Sequence, residues 1–545
     1  PQPQPGYGYP QQPPAGYGYP QQPGTPAPGA PAPGTPAPGA PTWTSPSPWP
    51  QQPGTVPMAA APAPGGGNAK RNQLMIIGAA VLAIALIVGG GFWLTSGDDG
   101  GGKQDTANGQ NNGGGGGDKP GGGGGTEKVP SNTKAKTLVN VPQPEVQDVV
   151  DVGGSWITDS VYVKGDVAKI VGYGLNDGGK KWEIPLTGQL CGATTHVSDN
   201  KTAVLFQEGM PSDQNKYPRC NQVGVIDLNA GKLAWSGSVQ SVASGDKKVE
   251  FKEVTLSGQT VAAGGLQGGA AWNLADGKNL WLPKPDAEKC YDLGYGGGEA
   301  LAVLRKCGGY GQQYLQAQVL DPATGAPKSS YKMSPGIEWA HIVSTKPFVV
   351  AADVGDTAKG GSGVSDLFVI DDAGQLKTKI AMSSGNYDPD CPATEVEGCT
   401  KIVVGNGKVY VPSAEHQGAT ATGRTNELLS FDLNTGKQTT DRADAGERYT
   451  LVPLRMDGSN IIAYKWPPYD KGGQVVSIDG ATMKETLLME MPADKDFRRA
   501  ETSFSVEHAE YRYHNGRLFI AEQLISKRYS SSGDPEYLFA SFAAN

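Results

Sequence analysis

Five histidines and six cysteines are the residues in this chain best suited to metal or redox chemistry, and their spacing limits what they can do. His196, His341, His416, His508 and His514 are scattered. Only His508 and His514 lie close together, in EHAEYRYH, where Glu507 or Glu510 would have to share their face to complete a metal site. A strand that merely carries both histidines accounts for the same pattern. The loop Tyr387–Cys399, YDPDCPATEVEGC, carries Asp388 and Asp390 before Cys391 and Glu395 and Glu397 between Cys391 and Cys399. Oxygen-rich loops hold Ca²⁺, but this spacing is not that of an EF-hand, so the loop is read as solvated and acidic. No G-x-S-x-G, Walker A or H-E-x-x-H pattern occurs. No catalytic residue, metal ligand or cofactor is assigned.

The cysteines are Cys191, Cys220, Cys290, Cys307, Cys391 and Cys399, all in the C-terminal part of the chain. They lack C-x-x-C or nearby histidine spacing, which points to disulfides in an oxidising compartment. Pairing neighbours in order (191 with 220, 290 with 307, 391 with 399) closes the smallest loops. The net charge of −8 argues against nucleic acid as a partner.

The elements that must position these residues emerge from a repeat. GLNDGGKKW (Gly174–Trp182), DLNAGKLAW (Asp227–Trp235) and NLADGKNLW (Asn273–Trp281) align without gaps, and DPATG, DDAG, DLNTGK and DGATMK follow from Asp321, Asp371, Asp432 and Asp479. The first positions recur about every 50 residues, the period of a propeller blade. A short apolar strand precedes most of these turns, such as VGVI before Asp227 and LLSF before Asp432. An Asp at the first position can accept backbone N–H bonds inside the turn. The Gly four residues on supplies positive φ. A Trp can lie over the next blade. Asp227, Gly231, Trp235, Trp182, Trp281, Asp321, Gly325, Asp432 and Gly436 are therefore structural residues of the turn. Gly174, Asn273 and Met483 depart from it.

Seven turns are visible. RLFIAEQ (517–523) and YLFASFA (537–543) begin an eighth unit, and KTLVNVPQP (136–144) could complete it. The expected fold is all-β, an eight-bladed β-propeller over residues 134–545, with seven blades as the alternative.

Upstream, residues 1–71 are rich in Pro, Gln, Gly and Tyr, and residues 1–69 hold no charged side chain. They are expected to be disordered. Leu74–Leu94 is an uncharged run long enough, at about 1.5 Å per residue, to cross a bilayer core of roughly 30 Å. Residues 72–95 are thus expected to form one transmembrane helix. Lys70 and Arg71 before it and Asp98 and Asp99 after it put the N-terminus in the cytoplasm and the propeller outside. Residues 96–133 form a Gly-rich linker. The sequence begins at Pro1, which leaves upstream sequence open.

The D-x-x-T-G-K-x-x-W turn after an apolar strand resembles the repeat of quinoprotein-type (PQQ-like) β-propellers, and the whole layout resembles single-pass membrane proteins of actinobacteria such as streptomycetes. The resemblance implies either enzymes that hold pyrroloquinoline quinone beneath a disulfide of adjacent cysteines, with calcium, or non-enzymatic scaffolds. No adjacent cysteine pair exists here. The leading expectation is a binding or assembly scaffold for an extracytoplasmic protein, peptide or envelope ligand. The alternatives are a quinone-dependent dehydrogenase and a sensor domain working with a Ser/Thr kinase. The contact surface is expected on the insertions 355–365, 387–399, 415–425 and 526–536.

Overall fold

The computed structural model describes residues 125–241, 247–284, 286–358, 363–382, 386–419, 423–505, 508–527 and 535–544. The tail, the apolar run Leu74–Leu94 and most of the linker lie outside them. Among the described residues, no helix is long and apolar enough to cross a membrane.

Eight four-stranded antiparallel sheets follow one another along the chain. Blade 1 consists of Ser155–Ile157, Val161–Asp166, Lys169–Gly174 and Lys180–Pro185, paired in that order. Blades 2 to 7 repeat the plan over residues 190–237, 253–281, 291–332, 340–381, 403–444 and 450–490. Blade 8 is built from both ends of the domain. Glu510–His514, Arg517–Ala521 and Tyr537–Ala543 supply three strands, and Lys136–Pro142 pairs outside the last, with Lys136 opposite Ala543 and Pro142 opposite Tyr537. The ring therefore has eight blades, and closure leaves no free edge where its ends meet.

Burial follows position in the blade. The second strands are sandwiched between neighbouring sheets, so VYVKGD (161–166) and TVAAG (260–264) are buried along their whole length. The outer strands alternate, as in KLAWSG (232–237), because one face meets water. The core accordingly lies between blades. Tyr162 of blade 1 stacks on Phe519 of blade 8 with ring centroids 3.9 Å apart.

The repeated turn joins the third strand to the outer strand. The carboxylate of Asp227 accepts from Ala230 N at 2.8 Å. Asp321, Asp432 and Asp479 each accept from two backbone N–H groups and a threonine hydroxyl. The fifth residue is left-handed, with φ of 63° at Gly231, 71° at Gly325 and 68° at Gly436. Met483 holds the same conformation with a side chain. Each of these glycines also lies under a residue of the preceding blade. Val139 covers Gly178, Trp182 covers Gly231, Trp235 covers Gly277 and Trp281 covers Gly325. A Cβ at the glycine would strike the covering side chain. Where the tryptophans stop, Ser330 lies beside Gly374 and Thr378 beside Gly436.

Strand alternation sorts the connections onto two faces. One face, the turn face, holds the repeated turns and the short links between first and second strands. The opposite face, the loop face, receives the links between second and third strands and the passages between blades, and every long connection lies there. Both ends of the domain reach the turn face. Residues 125–133, read from sequence as linker, lie there beside blades 7 and 8. The side chain of Glu127 is buried, pairs with Arg455 Nη2 at 2.5 Å and accepts from Asn515 N at 2.8 Å. Ala544 N bonds Gly516 O at 2.8 Å.

Candidate functional site

The segment 386–402, between blades 5 and 6, dips into the axis of the ring. The disulfide Cys391–Cys399 closes its tip. Glu397, expected in a solvated acidic loop, instead sits against the first strand of blade 3 and the links between the first and second strands of blades 2 and 4. Its Oε1 accepts from His196 Nε2 at 2.8 Å and from Gly297 N at 2.9 Å, and its Oε2 from Thr255 Oγ1 at 2.6 Å. Glu253 accepts from Val396 N at 2.9 Å and from Glu397 N at 3.0 Å. Ile342 N bonds Val396 O at 2.6 Å, and His341 Nδ1 donates to Glu395 O at 2.7 Å. One short loop thus touches blades 2, 3, 4 and 5. Glycine makes the approach possible: a Cβ on Gly294 would collide with the Glu253 carboxylate and Val396.

The electrostatics follow from this burial. Desolvation pushes both members of the His196–Glu397 pair toward neutrality, but their mutual attraction outweighs it. The His196 pKa is raised and that of Glu397 is lowered. Burial lifts Glu253 well above the usual carboxylate range, against the two N–H groups it accepts. Burial raises Glu395 too, with the Asp151 charge adding to it. Lys164, fully buried in the second strand of blade 1, pairs with Glu510 Oε2 at 3.3 Å and donates to Val152 O.

A small cavity of about 40 Å³ lies against blades 7, 8, 1 and 2, between Trp156, Thr195, Arg455 and Tyr511. Trp156 lines it and donates to Thr194 O at 2.8 Å. No disulfide joins adjacent residues, so the residues present lack the adjacent-cysteine cover that the resemblance implies for pyrroloquinoline quinone.

The three disulfides are 191–220, 290–307 and 391–399, as the nearest-neighbour rule gives. The histidines do not converge. His416 pairs with Glu427 at 2.7 Å, His514 bonds Asn515 at 2.8 Å, and His508 is exposed. Asp388 is held by Lys401 at 3.1 Å, away from Glu397. Among the described residues one group has metal-like spacing, Glu288 with Cys290 and Cys307, and those two sulfurs are bonded to each other.

The exposed large apolar residues cluster by face. Val149, Met210, Tyr217, Leu266, Leu282, Tyr310, Tyr469 and Leu524 all belong to loop-face connections. Tyr217 is 87% exposed and Tyr310 fully so. Val129 and Leu376 are the exceptions among the described residues. Leu266 and Leu282 flank a groove of about 780 Å³ between blades 3 and 4, lined also by Trp281, Arg305, Asp286 and Asp292. Arg305 bridges the two carboxylates at 2.7 and 2.9 Å. Sequence reading named the longest insertions but missed these shorter loops, because a lone Tyr or Leu in a loop carries no periodic signal.

No protein-family model matches the chain, and no characterised protein matches its sequence. Among solved structures it is similar to quinohemoprotein alcohol dehydrogenases from Pseudomonas putida HK5 and Comamonas testosteroni, each at 12% identity and TM-score 0.43 over 77% of this chain and 78% of theirs. The Neurospora crassa Pan2 WD40 domain aligns at 10% identity and TM-score 0.34, over 76% of this chain and 95% of that one. The propeller assignment rests on the sheet topology. At these scores the likenesses carry no argument about chemistry.

Proposed function

We propose that this chain is a membrane-tethered, extracytoplasmic β-propeller that binds a protein, peptide or envelope polymer through its loop face. One observation carries the reading: the exposed large apolar side chains gather on that face. Leu266 and Leu282 share one groove there, apolar patches mark interaction sites, and loops on a rigid scaffold are the usual place for recognition. The quinone-dependent reading lacks the disulfide of adjacent cysteines that the resemblance implies.

Photo-crosslinking residues placed at Tyr217, Tyr310 and Leu376 in the full chain, in cells, test this. Reproducible capture of one species from positions 217 and 310, with none from 376 on the turn side, is the expected result. Equal capture from all three, or none from any, defeats the proposal.

A further inference from the structure

The contacts of the Cys391–Cys399 tip have the form of ligand recognition. Three donors, from blades 2, 3 and 4, converge on the single carboxylate of Glu397. Beside them Glu253 takes the two successive backbone N–H groups of Val396 and Glu397. A carboxylate clamp next to an acceptor for consecutive amides suits a peptide and not a free ion. Charge-assisted hydrogen bonds of this kind discriminate strongly against a neutral side chain.

The occupant packs into the core, with Val396 beside Leu293 and Ile342, yet it is part of no blade. The outer strand of blade 5 ends at Ala381 and blade 6 begins at Val403, so the tip belongs to none of the eight sheets. Its disulfide closes the tip on itself and ties it to no blade. Of the groups that hold it, His196, Thr255, Gly297 and Glu253 belong to blades 2, 3 and 4, and His341 and Ile342 to blade 5.

We infer that this axial pocket is a receptor for an acidic peptide segment, which the chain fills in cis with Val396 and Glu397. The inference rests on the loop-face reading for the direction of approach: a partner reaching the axis must present a carboxylate and displace Glu397. The pocket then works as a gated site, closed until a competing acidic segment arrives.

Two experiments test it. In the first, the full chain carries Glu397→Ala and its thermal unfolding is followed with added acetate. Saturable stabilisation of E397A by acetate, absent from the wild type and from the double variant H196A/E397A, is expected, since a ligand that binds the native state raises its stability. No response of E397A, or an equal response of all three proteins, overturns the proposal. In the second, residues 392–398 are replaced by Gly and Ser between the retained cysteines. A labelled peptide, ATEVEG, should bind the emptied protein and not the wild type, with its second-glutamate-to-glutamine version weaker by about tenfold or more. Equal binding of both peptides, or none to a folded emptied protein, also overturns it. If the emptied protein does not fold, the acetate experiment alone decides. Loss of crosslinks at Tyr217 and Tyr310 would instead sink the loop-face reading and leave the pocket standing.

Discussion

Trp235 lies across Gly277, joining the outer strand of blade 2 to the turn of blade 3, and its indole Nε1 donates to Leu274 O at 2.8 Å. Trp182 makes the same crossing over Gly231, but its Nε1 is buried without a partner. The two tryptophans share one packing role and differ by one hydrogen bond.

That difference predicts unequal responses to a conservative change. Trp235→Phe loses ring area and a hydrogen bond, whereas Trp182→Phe loses ring area and relieves an unsatisfied N–H. Chemical denaturation should show W235F less stable than W182F by about 1 kcal/mol. Either tryptophan replaced by Ala should cost about 3 kcal/mol or more.

The His196–Glu397 pair predicts a pH signature. His196 has a raised pKa, so its contribution is fully present below its unfolded value of 6.5 and fades as pH rises through the folded value. Glu397 has a lowered pKa, so its contribution is present above 4.5 and fades as pH falls through the folded value. The stability difference between wild type and E397Q should therefore be largest between pH 4.5 and 6.5 and shrink on both sides. A flat difference across a pH series of denaturant midpoints would contradict the pairing.

Glu501 predicts the opposite slope. It is fully buried, accepts from Tyr464 Oη at 2.7 Å and Gly473 N at 3.0 Å, and burial raises its pKa to about 7. Its neutral form stabilises the fold below pH 4.5, and that contribution is lost as pH rises through about 7. Glu501→Gln keeps a neutral acceptor. Relative to wild type, E501Q should gain Tm at pH 8 compared with pH 5.

The disulfides should separate global from local effects. In the chain-entropy account, removing Cys191–Cys220, which spans 29 residues, costs about 3–4 kcal/mol, and removing Cys391–Cys399, which spans 8, costs about 2–3 kcal/mol. Hydrogen exchange should report the second loss chiefly at the amides of Val396 and Glu397, whose acceptor is Glu253. Uniform loss of protection across all blades would argue against a separable tip.

The blades were legible because their signals are local. The turn needs Asp and Gly at fixed offsets, so Asp227 and Gly231 announce it wherever the chain writes it. The pairing of residues 136–142 with 537–543 was legible because seven turns left one sheet incomplete. The axial pocket was not. His196 and Glu397 lie 201 positions apart, and nothing about ATEVEG distinguishes an acidic loop in water from one at the ring axis. The signal that could have found it is the glycine-rich stretch DLGYGGG, where Gly294 and Gly297 leave room for another segment beside a first strand. The exposed residues Tyr310 and Leu266 had no sequence signal at all, since exposure is set by which face a loop leaves from.

The strand Lys136–Pro142 waits for Tyr537–Ala543, the last strand of the ring, before it can pair. During synthesis it is among the earliest parts of the domain to emerge, and its partner is the latest. Until then the growing chain carries two unpaired strand edges, which are templates for aggregation. A chain that stops short of the last strand leaves an open arc with both of those edges exposed.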